Sequence, residues 1–148
     1  MAKRLTLQID RPCFKDILNG AQDVEHRFIY PSNVNKYVIQ TETEEGLDIQ
    51  CVQYDELYLI NGRRKEAPRL TVLVESAEFV PFIDEEGNDL VTVGEDGEEY
   101  LVCQVWYHLG KVTSTENVPD DYYYDETTKA ERRELFLKGQ AELEQSLF

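Results

Sequence analysis

Apolar and polar residues alternate from Arg4 to Ile9, with Leu5, Leu7 and Ile9 on one side and Arg4, Thr6 and Gln8 on the other. That period of two predicts a half-buried strand. Asp10 follows as a helix N-cap, and Pro12 falls in the first turn, where its missing N–H costs little. Phe14, Ile17 and Leu18 then recur at helical spacing until Asn19-Gly20 supplies a stop, so a short helix is expected. Val24 to Ile29 reads as the next strand, broken by Pro31 and Ser32-Asn33. Further strands are expected at Lys36 to Gln40, Glu56 to Ile60, Leu70 to Val80 and Leu101 to Tyr107, where branched and aromatic residues cluster. Asn61-Gly62, Gly87-Asn88 and Asp96-Gly97 mark turns between them.

Many short strands and one early helix predict a mixed α+β chain, mainly β, built as a small barrel rather than a βαβ array. From Thr128 the composition turns to Ala, Glu, Arg, Leu, Lys and Gln, and Thr128-Lys129-Ala130-Glu131 matches a capping box. Phe136, Leu143 and Leu147 can share one face of this helix. It is expected to pack on the barrel, with a partner-binding helix as the alternative. Gly139 weakens it by roughly 1 kcal/mol relative to Ala, which makes it dependent on packing. The reading is a barrel domain over residues 1–118, with an acidic, Tyr-rich connection and a C-terminal helix over 119–148 packed on the same domain.

The chain has 148 residues, 41% of them hydrophobic, which is enough for one core and unlike an acidic disordered tail. Its net charge of −15 excludes a generally basic nucleic-acid coat. Residues 1–72 hold 10 basic and 11 acidic side chains, whereas residues 73–148 hold 5 and 19, so the excess negative charge lies in the second half. A phosphate-bearing ligand would be met by the first half, where Arg63, Arg64, Lys65 and Arg69 form a basic loop. The default reading of that loop is a solvated turn. No apolar run is long enough to span a membrane, and the start lacks an apolar signal core, so a soluble, cytoplasmic protein with no membrane partner is expected. Cys13, Cys51 and Cys103 are odd in number and widely spaced, which predicts reduced, mostly buried thiols.

Glu25 and Arg27 stand two apart on a predicted strand, so they share a face while His26 points to the other. A carboxylate beside an arginine holds its planar fork in place for bidentate contact with a phosphate or a base edge. An ion pair at the barrel rim is the plainer alternative. His26 and His108 are the only histidines, no cysteine or carboxylate spacing suggests a metal, and no Walker, dinucleotide or nucleophile-elbow motif is present. Neither metal nor cofactor is expected. Tyr122-Tyr123-Tyr124, flanked by Asp120, Asp121, Asp125 and Glu126, reads as a latch or a protein-contact patch, because the carboxylates would repel phosphates. The acidic stretches around Asp84 to Asp89 and Glu95 to Glu99 read as solvated hairpin tips.

The run Phe14 to Arg27, a helix ending at Gly20 followed by a strand carrying Glu25-His26-Arg27, resembles the ASCH domain, a PUA-like family. Gly20, Glu25 and Arg27 match its pattern, while Gln22 stands where Lys is usual and Asp23 where Thr is common. The resemblance extends more loosely through Tyr54 to Arg63, Leu70 to Val80 and Val105 to Val112. It implies a PUA-like barrel with a cleft between helix and barrel that takes RNA or a nucleotide-like ligand, here through Gln22, Glu25, Arg27 and the loop of Arg63, Arg64, Lys65 and Arg69. Amidohydrolase members of the group imply a Lys, a Thr and a Glu. The matching positions here hold Gln22, Glu25 and a residue near Leu73. Gln22 is neither base nor nucleophile at neutral pH, and the attacking hydroxyl is missing.

The leading expectation is therefore an RNA- or nucleotide-binding module. A hydrolase acting on a modified nucleoside, with Glu25 as its acid or base, comes second. An acidic interaction module with a basic protein partner comes third.

Overall fold

The computed structural model describes residues 2–147. The elements in order are β1 (Arg4–Gln8), α1 (Arg11–Leu18), β2 (Val24–Ile29), α2 (Val34–Tyr37), β3 (Val38–Thr43), β4 (Gly46–Cys51), β5 (Glu56–Ile60), β6 (Arg69–Pro81), β7 (Val91–Val93), β8 (Glu99–Leu101), β9 (Cys103–Glu116) and α3 (Glu126–Leu147). A 3-10 turn over Asp120–Tyr122 precedes α3. The fold is mixed α+β with more strand than helix.

Five strands form one sheet in the order β1-β5-β6-β9-β2, while β3–β4 and β7–β8 are separate two-stranded hairpins. The β1–β5 pair is parallel, and the other pairs of the main sheet are antiparallel. Alternation in β1 works as expected, with Leu5 and Leu7 buried between exposed Arg4, Thr6 and Gln8. These two side chains join Phe14 and Ile17 of α1, Leu57 and Leu59 of β5, Leu70 and Val72 of β6, and Val105 and Tyr107 of β9 in the main core. The opposite face of the β2–β9–β6 end is covered by α3, through Val24, Val80, Trp106 and Leu147 with Phe82, Phe136 and Leu143 packed against them.

The N-terminal helix forms as its residues dictate. The Asp10 carboxylate accepts from Cys13 N at 2.9 Å, and Gly20 turns the chain at a φ of 74° that favours glycine. Its C-terminal end is held from a distance. Asp16, nearly buried, accepts from Arg132 Nε at 3.0 Å, Arg132 Nη2 at 2.7 Å and the Tyr124 hydroxyl at 2.6 Å. Asn19 Nδ2 donates to Tyr122 O, and its Oδ1 accepts from Tyr124 N. Tyr122 is buried edge-on against Phe14 and donates to Asn61 Oδ1 at 2.8 Å. The Tyr-rich segment is thus a latch on α1, and only Tyr123 of the three rings is exposed.

The elements differ from the sequence expectations in several places, and β4 and β7 stand where no strand was expected. Lys36 and Tyr37 lie in a single helical turn, because Asn33 closes a turn through Tyr30 N and Lys36 N, and strand β3 begins only at Val38. Thr128 does not cap α3. Asp125 does, accepting from Thr128 N at 2.7 Å, so the helix starts at Glu126. The strand expected at Leu101 to Tyr107 is divided between β8 and β9, and β9 continues to Glu116. The backbone ladders leave β1 and β2 as the two edges of the main sheet, so pairing among the described residues does not close it into a barrel. No helix among them is long and apolar enough to cross a membrane.

Candidate functional site

The two free edges meet through one side chain. Arg27 on β2 donates from Nη2 to Gln8 O on β1 at 2.8 Å and to Glu25 Oε2 at 3.3 Å. Between these edges lies an open hollow of about 400 Å3, lined by Gln8, Ile9, Asp10 and Cys13 from the β1–α1 junction, by residues 25–28 and Tyr30, and by Asn33 and Tyr37. Its deep side holds Glu25 and Tyr37, both buried, with Arg27 about one-quarter exposed beside them. Phe28 and Tyr30, 42% and 44% exposed, stand at its rim with their rings 6.1 Å apart and inclined by 22°.

The strand geometry explains this arrangement. In the β2–β9 register Glu25 lies opposite Tyr107 and Arg27 opposite Val105, on the core side, while His26 lies opposite Trp106 on the α3 side. His26 Nε2 is 2.8 Å from Gln140 Oε1, and its ring meets Trp106 edge-on. With a carbonyl oxygen as partner, Nε2 carries the proton of a neutral imidazole, and burial pushes the ring's pKa down. His26 is thus a packing residue.

A guanidinium has five N–H donors. The contacts to Gln8 and Glu25 use the two on Nη2 of Arg27, which leaves those on Nη1 and Nε without a partner among the described residues. Burial raises the Glu25 carboxyl above its ordinary range; the charge and hydrogen bond of Arg27 oppose that shift, and Asp10 adds to it. Behind this pair, Tyr107 is fully buried, and its hydroxyl is the buried side-chain polar atom that lacks a partner among the described residues. Cys13 also lines the hollow, but burial and then Asp10 push its thiol up to about 12, so at neutral pH it is a thiol and not a nucleophile.

The sign of the Glu25 shift gives a measurable pH effect. A carboxyl that holds its proton more tightly folded than unfolded contributes stability below the ordinary value of 4.5 and loses that contribution as pH rises through the folded pKa. Urea unfolding of the wild type and Glu25→Gln should therefore diverge above that pH, the wild type losing stability relative to the variant. Parallel profiles would show that Glu25 is not held up.

The remaining sequence-predicted residues lie elsewhere. Gln22 is buried, donates to Val24 O at 3.0 Å, and lines a separate hollow of about 500 Å3 with Gly20, Glu75, Lys111 and Lys129. Glu75, two residues past Leu73, and Asp23 are the carboxylates that line this hollow. Arg64 lines a third hollow, of about 560 Å3, with Arg11, Asn61, Asn117 and Tyr122. Arg63 and Lys65 are exposed, and Arg69 lies over the Tyr58 ring at 5.9 Å and donates to Lys65 O. The link from this loop to Arg27 is Gln8. Its side-chain amide, oriented with its nitrogen toward the loop, donates to Gly62 O at 2.9 Å and Ile60 O at 3.1 Å, while its main-chain carbonyl holds the guanidinium.

Sequence reasoning missed Tyr30, Asn33 and Tyr37 as parts of the Arg27 hollow. The turn after Pro31 brings them back to the β2 edge, and no short-range spacing announces it. It also missed Asp16 and Arg132, which lie 116 residues apart. The acidic tips serve their own turns: Asp84 accepts from Glu86 N and Asn88 N, and Asp96 from Glu98 N. Comparison of the chain with protein-family models, with curated proteins and with solved structures returns no match.

Proposed function

We propose that the hollow beside Arg27 binds a planar nitrogen heterocycle of the nucleobase type, as a free nucleoside or as an unpaired base of an RNA strand. With it goes the proposal that the chain is a PUA-like barrel of the ASCH type, on the strength of Gly20, Glu25 and Arg27. The observation that carries the reading is the state of Arg27: its fork is held by Glu25 and Gln8, and its other donors are left for a guest. Beside those donors, the Glu25 carboxylate lines the same hollow and offers an acceptor. A base edge with an adjacent donor and acceptor suits such a pair, and the Phe28 and Tyr30 rings at the rim supply stacking surface.

Charge narrows the ligand further. Asp10 and Glu25 outnumber Arg27 among the charged residues of the lining, so the hollow favours a base over a phosphate. Catalysis by the amidohydrolase route has little to support it, because Gln22 is committed to Val24 O in another hollow. The test is calorimetric titration with a panel of nucleosides, their monophosphates and a short single-stranded RNA. Nucleosides are expected to bind at least as well as their monophosphates, with little dependence on salt. Binding confined to RNA, with the steep salt slope of several phosphate contacts, would move recognition to the basic loop and overturn the reading.

A further inference from the structure

The β3–β4 and β7–β8 hairpins stand apart from the main sheet, and isolated two-stranded ribbons are marginal unless something backs them. Between them runs a groove of about 370 Å3, walled by Val34, Val38, Leu47, Ile49, Phe79 and Leu101. Its volume falls within the range of roughly 300–1,000 Å3 usual for ligand sites. In the hairpin register Gln40 pairs with Ile49 and Val38 with Cys51, which turns Val38, Gln40 and Ile49 toward the groove and leaves Ile39 outside. Leu47 at the groove's outer end is 54% exposed, and Tyr100 on the other wall meets Tyr30 edge-on at 6.2 Å. Along the groove Leu47 is exposed, Val34, Ile49, Phe79 and Leu101 are half-buried, and Val38 is buried at the floor, so an apolar strip is only partly covered.

The surroundings of this channel identify its occupant. Residues 38–53 carry Glu42, Glu44, Glu45 and Asp48, residues 81–102 carry eight more carboxylates, and neither stretch contains a Lys or Arg. The described carboxylates of these stretches make no salt bridge with a described cation. An apolar trough between two acidic banks repels anionic lipid and nucleic acid, and it repels a second copy of a chain whose net charge is −15. We propose that this groove docks a basic peptide segment of a partner protein, one that buries a large apolar side chain such as Leu between the hairpins and sets flanking Lys or Arg against the two banks. Apolar burial would supply affinity, and the carboxylates would supply partner selection and a fast, salt-sensitive encounter.

This surface is separate from the Arg27 hollow, and its test does not depend on a nucleobase ligand. The probe is a short synthetic peptide with a single Leu between lysines, titrated into the intact chain and followed by fluorescence anisotropy. Binding is expected to weaken as salt rises and to drop roughly tenfold or more when the peptide Leu becomes Ser or its lysines become Glu. Leu47→Asp, at a position exposed enough to leave folding intact, should weaken binding to a similar degree, whereas Leu135→Asp, at an equally exposed position on α3, should not change it. Equal binding of the Ser peptide, or a Leu47→Asp variant indistinguishable from wild type, would overturn the proposal. So would concentration-dependent dimerisation, seen by sedimentation and abolished by Leu47→Asp, because it would make a second copy the occupant.

Discussion

Arg27→Lys is expected to weaken nucleoside binding by roughly ten- to a hundredfold while leaving most of the fold's stability in place. A hydrogen bond to a charged group contributes roughly 1.5–3 kcal/mol, and each 1.4 kcal/mol is about tenfold in affinity. Lysine keeps the charge that balances buried Glu25 but replaces a rigid fork with a rotating point charge. Arg27→Ala should lose binding as well, and it should also destabilise the protein, because it strands the Glu25 carboxyl in a buried site and removes the tie from β2 to Gln8 on β1. Isothermal calorimetry and urea unfolding on the two variants separate recognition from support. Wild-type affinity in Arg27→Lys would mean that the planar fork does not read the ligand.

Arg132→Ala should be the costliest single change far from the hollow, lowering unfolding free energy by about 2–3 kcal/mol. Asp16 is nearly buried, and Arg132 reaches it with two N–H groups at 3.0 and 2.7 Å. Removing the guanidinium leaves a buried carboxylate with the Tyr124 hydroxyl as its remaining side-chain donor, and the partly exposed position of Arg132 keeps the cost below the roughly 3–5 kcal/mol of a fully buried pair. Deleting both partners should recover part of the loss, since no stranded charge then remains. The measurement is a double-mutant cycle by urea unfolding. A cost under about 0.5 kcal/mol for Arg132→Ala would reduce the pair to an ordinary surface contact. Because this pair and the Tyr latch fix the end of α1 and the Gly20 turn, they also set where β2 presents Glu25 and Arg27.

Local patterns carried the fold well over residues 4–29. The alternation of Leu5 and Leu7, the Asp10 cap and the Gly20 stop are short-range signals whose physics is complete within a few residues, and each element appears where those signals place it. The face shared by Glu25 and Arg27 was readable for the same reason. Other features depend on partners distant in sequence. Nothing near Asp125 distinguishes it from Thr128 as the cap of α3, because both can accept from an N–H three residues on. Part of β3 was expected, but β4 and the hairpin it closes were missed because Glu42, Glu44, Glu45 and Asp48 dilute the apolar alternation. The basic loop and Gln22 looked like parts of one site with Arg27, but side-chain direction and the course of α1 send Gln22 and Arg64 to other hollows, leave Arg63 and Lys65 exposed and lay Arg69 over the Tyr58 ring.

The account stands on a guanidinium that its neighbours orient and that a guest then contacts. A proton–nitrogen correlation spectrum of the arginine side chains, recorded while a nucleoside is titrated in, observes that group directly. The account predicts that the Arg27 Nε–H resonance, identified by its loss in Arg27→Lys, shifts and saturates with the ligand while those of Arg63, Arg64 and Arg69 stay in place. An unmoved Arg27 resonance with a shifting Arg64 or Arg69 would contradict it.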